Sequence, residues 1–211
     1  MGIPEKRQQP GLQHTLQPDH QCRQQAAWCN DRRYWYKFIL ESNIERDKND
    51  PSVIIWDIGN ELNFGVPEAG KSQYEQYAKN MKSYIEAIDK TRPITVGDNN
   101  PYGLQQANPT EFRNKVSTVL AKNGEGLAGA NYSMGSMSGI HNAHPDWKII
   151  ATETASPSNS RGIYNTLSQY NKTGDYQCTA YDTNAVSWGN TARESWWYTI
   201  KDDFVSGEFI W

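Results

Sequence analysis

The stretch "PSVIIWDIGNEL", residues 51–62, decides the fold. Val53, Ile54, Ile55 and Trp56 follow one another without a polar break, and Ile58 extends the run. A nearly continuous β-branched segment over 52–58 fits a strand covered on both faces, as in a parallel sheet. It stops on Gly59, Asn60 and Glu61, an abrupt polar ending beside a carboxylate.

Working outward, Pro51 closes a preceding helical pattern, "RYWYKFILESNIERDKND", in which Trp35, Phe38 and Ile39 share a face. Downstream, Tyr74, Tyr77, Ala78, Met81, Tyr84, Ile85 and Ile88 recur at helical spacing. Pro93 ends that segment and a short strand, "PITVG", follows. A further helix is expected over about 110–122, then strands at "GLAGANY", 126–132, and "KIIATE", 148–153. Residues 154–189 form a long polar stretch with little periodicity. "NTARESWWYTIKDD" then suggests a helix and "SGEFIW", 206–211, a last strand.

Strands near residues 53, 94, 128, 149 and 207 alternating with helices imply βα units and a parallel sheet. Long βα loops favour a barrel over a compact nucleotide-binding sheet. No G-x-G-x-x-G follows any strand, which removes support for a dinucleotide site. The fold class is therefore α/β, an incomplete (β/α)8 barrel holding roughly its C-terminal five βα units.

Composition narrows the classes of partner. The chain has 211 residues and a formal net charge of -3, so charge gives no argument for nucleic acid or a membrane surface. No run approaches the length of a membrane span. Eight Trp and twelve Tyr serve either core packing or stacking against the flat faces of sugar rings. Cys22, Cys29 and Cys178 make an odd number without metal-binding spacing and read as free thiols. Residues 1 to about 38, rich in Gln with scattered Pro, are set apart from a catalytic domain over 39–211, as disordered or misassigned sequence. They lack the apolar core of a secretory signal. Met1 is not expected to be the native start, so the compartment, cytoplasmic or periplasmic, stays open.

In a (β/α)8 barrel the reacting groups sit at the C-terminal ends of several strands. Here those ends carry Asn60-Glu61, Asn131-Tyr132, Glu153 and Trp211. Paired carboxylates across a barrel mouth suit glycosidic bond cleavage, one as acid, the other as nucleophile or base. Taken singly, each has an ordinary structural explanation: a solvated loop acid, a turn amide or a packed aromatic.

Together the motifs resemble glycoside hydrolase family 2, its β-galactosidases in particular. "ERDKNDPSVIIWDIGNELN", 45–63, is similar to the acid/base segment of that family. "HPDWKIIATETAS", 144–156, resembles its nucleophile segment. "GLAGANYS", 126–133, and "VSWGNTARESWWYTIKDDFVSGEFIW", 186–211, are similar to the intervening and final strands. The resemblance implies a retaining hydrolase of terminal β-D-galactosides. Glu61 would be the general acid/base and Glu153 the nucleophile. Asn60 would bind the sugar 2-hydroxyl, Tyr132 would donate to Glu153, and Trp211 would floor the galactose ring. The five strands would then be barrel strands four to eight.

The resemblance also implies companions: the earlier barrel strands and the β-sandwich domains that accompany such barrels. On its own the segment is expected to fold marginally and to act weakly. An inactive sugar-binding remnant, or β-glucuronidase or β-mannosidase specificity, remains an alternative. No cofactor or metal is expected in this segment, since the magnesium or sodium ligands of full-length relatives would lie mostly outside it. His141 and His144, in the loop before "DWKII", are expected to be solvated or packed within that loop.

Overall fold

The computed structural model describes residues 32–62, 73–108, 112–162, 164 and 180–211. The three cysteines and nearly all of the N-terminal segment set apart above lie outside the described residues. Five strands make one sheet: β1 (Trp56–Asn60), β2 (Ile94–Asp98), β3 (Leu127–Asn131), β4 (Lys148–Thr154) and β5 (Val205–Ile210). They neighbour one another in chain order, and every pairing is parallel. Sequential order without reversal is the pattern of a barrel, whereas doubly wound sheets reverse at a switch point. The sheet is the expected incomplete (β/α)8 barrel.

The helices are α1 (Arg32–Asp47), α2 (Tyr74–Ile88), α3 (Pro101–Leu104), α4 (Phe112–Ala121), α5 (Met137–Ala143) and α6 (Ala192–Ile200). Ala78 and Ile85 of α2 are fully covered, and Met81, Tyr84 and Ile88 pack partly against the same core with Leu40, Ile44, Trp56 and Val96. A second core joins β3 and β4 to α3 and α5 through Ala128, Ile149, Leu104 and Ile140. Helix α6 starts at a capping box: Thr191 accepts from the Glu194 amide while Glu194 reaches back to the Thr191 amide.

Three details differ from expectation. First, β1 begins at Trp56 and not at Ser52. Its first ladder bond is Trp56 N–H to Pro93 O, 3.0 Å, and β1 is an edge strand with no partner on its other side among the described residues. Ile54, just before it, is 62% exposed, as an open edge implies. Second, α1 buries Leu40 and Ile44, while Phe38 and Ile39 point outward. Third, the "loop" holding the histidines is helix α5 and its cap. His141 stacks on Phe204 with centroids 4.2 Å apart, and buried His144 stacks on Trp147 at 3.7 Å. Burial pulls the His144 imidazole below its usual value, against backbone hydrogen bonds with Gln106 and Leu104.

At the bottom of the sheet, β1 is anchored by charge. The Trp56 indole donates to Asp89 at 2.9 Å, and Arg92 donates to the same carboxylate oxygen at 2.6 Å. Burial would push the Asp89 carboxyl up, but hydrogen bonds from Thr91, Trp56 and Arg92 outweigh it and hold the group well below the usual carboxylate range.

Candidate active site

The C-terminal strand ends carry two hydrogen-bonded polar groups side by side. Asn131 Nδ2 donates to Asn60 Oδ1 at 2.9 Å and to Glu61 Oε1 at 3.1 Å. Its own oxygen accepts from Thr152 at 2.6 Å. Tyr132 donates its hydroxyl to Glu153 Oε2 at 2.9 Å and accepts from Ser156 at 3.2 Å. Asn60 and Glu61 are thus held by one amide, and Glu153 by the Tyr132 hydroxyl. Trp211 joins them through its backbone, which donates to Thr154 O at 3.0 Å. A cavity of about 260 Å³ lies beneath, lined among others by Asp57, Asn60, Glu153, Phe209 and Trp211.

Two irregularities in the ladder aim these groups. Between Asp57 and Asn60, β1 spends one residue more than β2 does between Thr95 and Gly97. Between Ile150 and Glu153, β4 spends one more than β3 does between Gly129 and Asn131. Side chains alternate along a regular strand, so residues 57 and 60 would face opposite ways, as would 152 and 153. All four line the same cavity because each extra residue flips the parity. Just past the strands, Glu61 and Tyr132 hold left-handed backbones, φ 44° and 49°. Non-glycine residues rarely adopt these values, and they gather where geometry is imposed for function.

Electrostatics set the two acids in a shared field. Burial pushes the Glu153 carboxyl up, and the Glu61 charge adds to this; the Tyr132 hydroxyl and the amides of Asn60 and Asn131 pull it partly back. Burial also pushes Tyr132 up to about 12, with Glu153 and Glu61 adding to the effect. Tyr132 therefore stays a protonated donor at neutral pH.

Asn131 stands at a strand end in the sequence but has no role assigned there, and Thr152 and Ser156 are not foreseen. Asn131 joins Glu61 to Asn60, Thr152 fixes its orientation, and Ser156 holds Tyr132. Gly97 is a further one: a β-carbon there would overlap the Asn60 amide oxygen and lie 2.8 Å from Asn131 Oδ1. The available signal was repetition, since Asn131-Tyr132 ends β3 just as Asn60-Glu61 ends β1. No cluster of three or more His, Cys, Asp or Glu among the described residues could hold a metal ion. A larger hollow of about 320 Å³ lies at the opposite strand ends. There Lys82 pairs with Glu125 at 2.9 Å, so its charge is already engaged.

The family model of the glycosyl hydrolases family 2 TIM barrel domain matches residues 12–198. The chain belongs to this family. The family 2 match starts inside the N-terminal segment set apart above and includes β1 to β4. Among family 2 relatives, β-galactosidase BoGH2A of Bacteroides ovatus is 29% identical over 215 residues, covering 84% of this chain and 24% of that protein. The β-glucuronidase of Rattus norvegicus is 31% identical over 71 residues, covering 34% of this chain and 10% of that protein. The chain thus spans a quarter or less of these two relatives. Among solved structures, a family 2 member from Bacteroides cellulosilyticus superposes with a TM-score of 0.54 at 22% identity, over 86% of this chain and 17% of that one. The β-D-glucuronidase for Dictyoglomus thermophilum gives 0.53 at 22% identity, over 83% and 28%. These two likenesses bear on the fold.

Proposed function

We propose that this segment carries the catalytic pair of a retaining β-galactosidase. The observation that supports it best is the meeting of two hydrogen-bonded groups at one mouth, Glu61 and Asn60 on Asn131 and Glu153 on Tyr132, with the Asn60 and Asn131 amides also acting on the Glu153 carboxyl. In the first step a Glu153 oxygen forms a bond to the anomeric carbon as the bond to the aglycone oxygen breaks. Glu61 gives that oxygen a proton, releasing an alcohol and leaving a glycosyl ester on Glu153. In the second, Glu61 takes a proton from water, the water oxygen bonds to the anomeric carbon, and Glu153 departs as carboxylate. Two inversions give net retention.

Each neighbour has a part. Glu153 attacks as an anion although burial favours its neutral form, and the Tyr132 hydroxyl helps to offset this. Asn60 offers its amide to the sugar 2-hydroxyl, a contact that strengthens as oxocarbenium character develops. Trp211, 66% exposed, gives a flat apolar platform. The remaining βα units of an eightfold barrel would cover Phe38, Ile39 and Ile54 on the β1 side and Phe209 and Ile210 on the β5 side, all exposed here.

A glucuronide is the second reading, supported by the identity to β-glucuronidases over one short stretch. The likeness to the β-galactosidase is the longer, covering 84% of this chain against 34%.

The test is proton NMR of the first sugar released by the chain from 4-nitrophenyl β-D-galactoside, with the β-glucuronide alongside. β-Galactose appearing before the α-anomer, at the higher rate, supports the proposal. The α-anomer appearing first would overturn retention, and faster glucuronide turnover would overturn the sugar.

A further inference from the structure

Asp57 has no part in the chemistry above, yet it sits in the cavity wall with Asn60 and Glu153. Its Oδ1 accepts the Gly59 N–H at 3.0 Å. That bond spans the place where β1 carries its extra residue. A bulge leaves the extra residue without a ladder partner, and a buried amide without a partner is costly. Gly59 is buried, so water is not at hand to replace the lost ladder bond. The carboxylate of Asp57 provides what the neighbouring strand does not.

The consequence lies one and two residues further on. With the bulge in place, Asn60 faces the cavity and Glu61 N–H bonds to Gly97 O at 2.9 Å, fixing the start of the left-handed turn at Glu61. Without it, regular alternation would put Asn60 on the face opposite Asp57. We infer that Asp57 is a positioning residue, whose carboxylate holds the β1 bulge that turns Asn60 and Glu61 into the mouth. The backbone part stands on the geometry alone; the kinetic part rests on the acid/base role proposed for Glu61.

Two variants of the full chain separate the outcomes. Asp57→Asn keeps a side-chain oxygen that accepts from Gly59, and Asp57→Ala removes it. The first readout is exchange of the Gly59 amide by NMR, which needs no turnover. Exchange should be about tenfold faster or more in Asp57→Ala and close to wild type in Asp57→Asn. The second is kcat/KM for phenyl β-galactoside and for the 2,4-dinitrophenyl glycoside. The poor leaving group needs proton donation and the good one does not. Asp57→Ala should lose at least about tenfold more on the phenyl substrate, with Asp57→Asn restoring most of the difference.

Unchanged Gly59 protection in Asp57→Ala would overturn the inference. So would equal losses in the two variants, or a loss independent of leaving group. Glu61→Gln serves as the control. If it shows no leaving-group dependence, the role of Glu61 fails, and the exchange result still judges the bulge.

Discussion

The two ends of β1 are built on opposite terms. At the bottom, Trp56 enters the strand with its indole on Asp89, and Asp89 is held by Thr91 and Arg92 as well. Charge there is paired and each bond favours the ionised carboxylate. At the top, the strand leaves through a bulge into Glu61 at φ 44°, and the Glu61 charge adds to the burial that already pushes the Glu153 carboxyl up. The bottom uses electrostatics to stabilise the fold; the top accepts strain and repulsion where the proposed reaction would take place. The same division, function above and stability below, is general to (β/α)8 barrels.

Substitutions should therefore separate activity from stability according to the end they touch. The largest effect is expected at Glu153. Glu153→Gln should lower turnover of a β-galactoside by roughly 10⁴-fold or more. The folded-state pKa of Glu153 is raised, so its ionisation opposes folding as pH rises through that value. Thermal unfolding at neutral pH should show Glu153→Gln as stable as wild type or more so; a clear loss of stability would contradict the contrast.

Asp89→Ala should do the reverse. Breaking a buried pair strands Arg92 and the Trp56 indole, at a cost of about 3 kcal/mol, visible in urea unfolding, with kcat per folded molecule unchanged. The folded-state pKa of Asp89 is depressed, so its contribution is present above its unfolded value, roughly 3.9, and is lost as pH falls. The variant should accordingly lose part of the wild type's sensitivity to acid between about pH 5 and 2. Unaltered acid sensitivity would show that the pair is not the anchor.

Two smaller effects sharpen the description of the top. Tyr132→Phe removes a donor to Glu153, worth roughly tenfold to a hundredfold in kcat/KM. Because that bond lowers the Glu153 pKa, its loss should move the acidic limb of the pH–rate profile upward; a downward move would contradict the assigned donor. Gly97→Ala crowds the Asn60 and Asn131 amides and should cost about tenfold in kcat/KM, with little change in stability.

How far the sequence discloses these ends differs too. The strands are readable because β-branched runs stop on polar residues, and Glu61, Tyr132, Glu153 and Trp211 all stand at such stops. The bulges are not readable, since an extra residue exists only relative to a neighbouring strand. Asp57 thus looks like an odd polar residue in an apolar run, and Gly97 like an ordinary strand residue in "PITVG". Helix α5 is hidden for another reason. "MSGIHNA" has weak helix propensity, and the helix forms because Met137 and Ile140 are buried and His141 stacks on Phe204. The open flanks follow from counting five strands of an eightfold barrel, whereas the extent to which Ile54 and Phe209 are exposed shows only in the structure.

The central claim is that Glu153 is the nucleophile of a retaining mechanism. It is tested most directly by incubating the chain with 2,4-dinitrophenyl 2-deoxy-2-fluoro-β-D-galactoside and sequencing the labelled peptide by mass spectrometry. The fluorine slows release of the ester and the leaving group needs no acid, so the expected result is one fluorosugar on Glu153 and none in Glu153→Gln. A sugar carried by Glu61 or Asp57, or labelling that persists in Glu153→Gln, would contradict it.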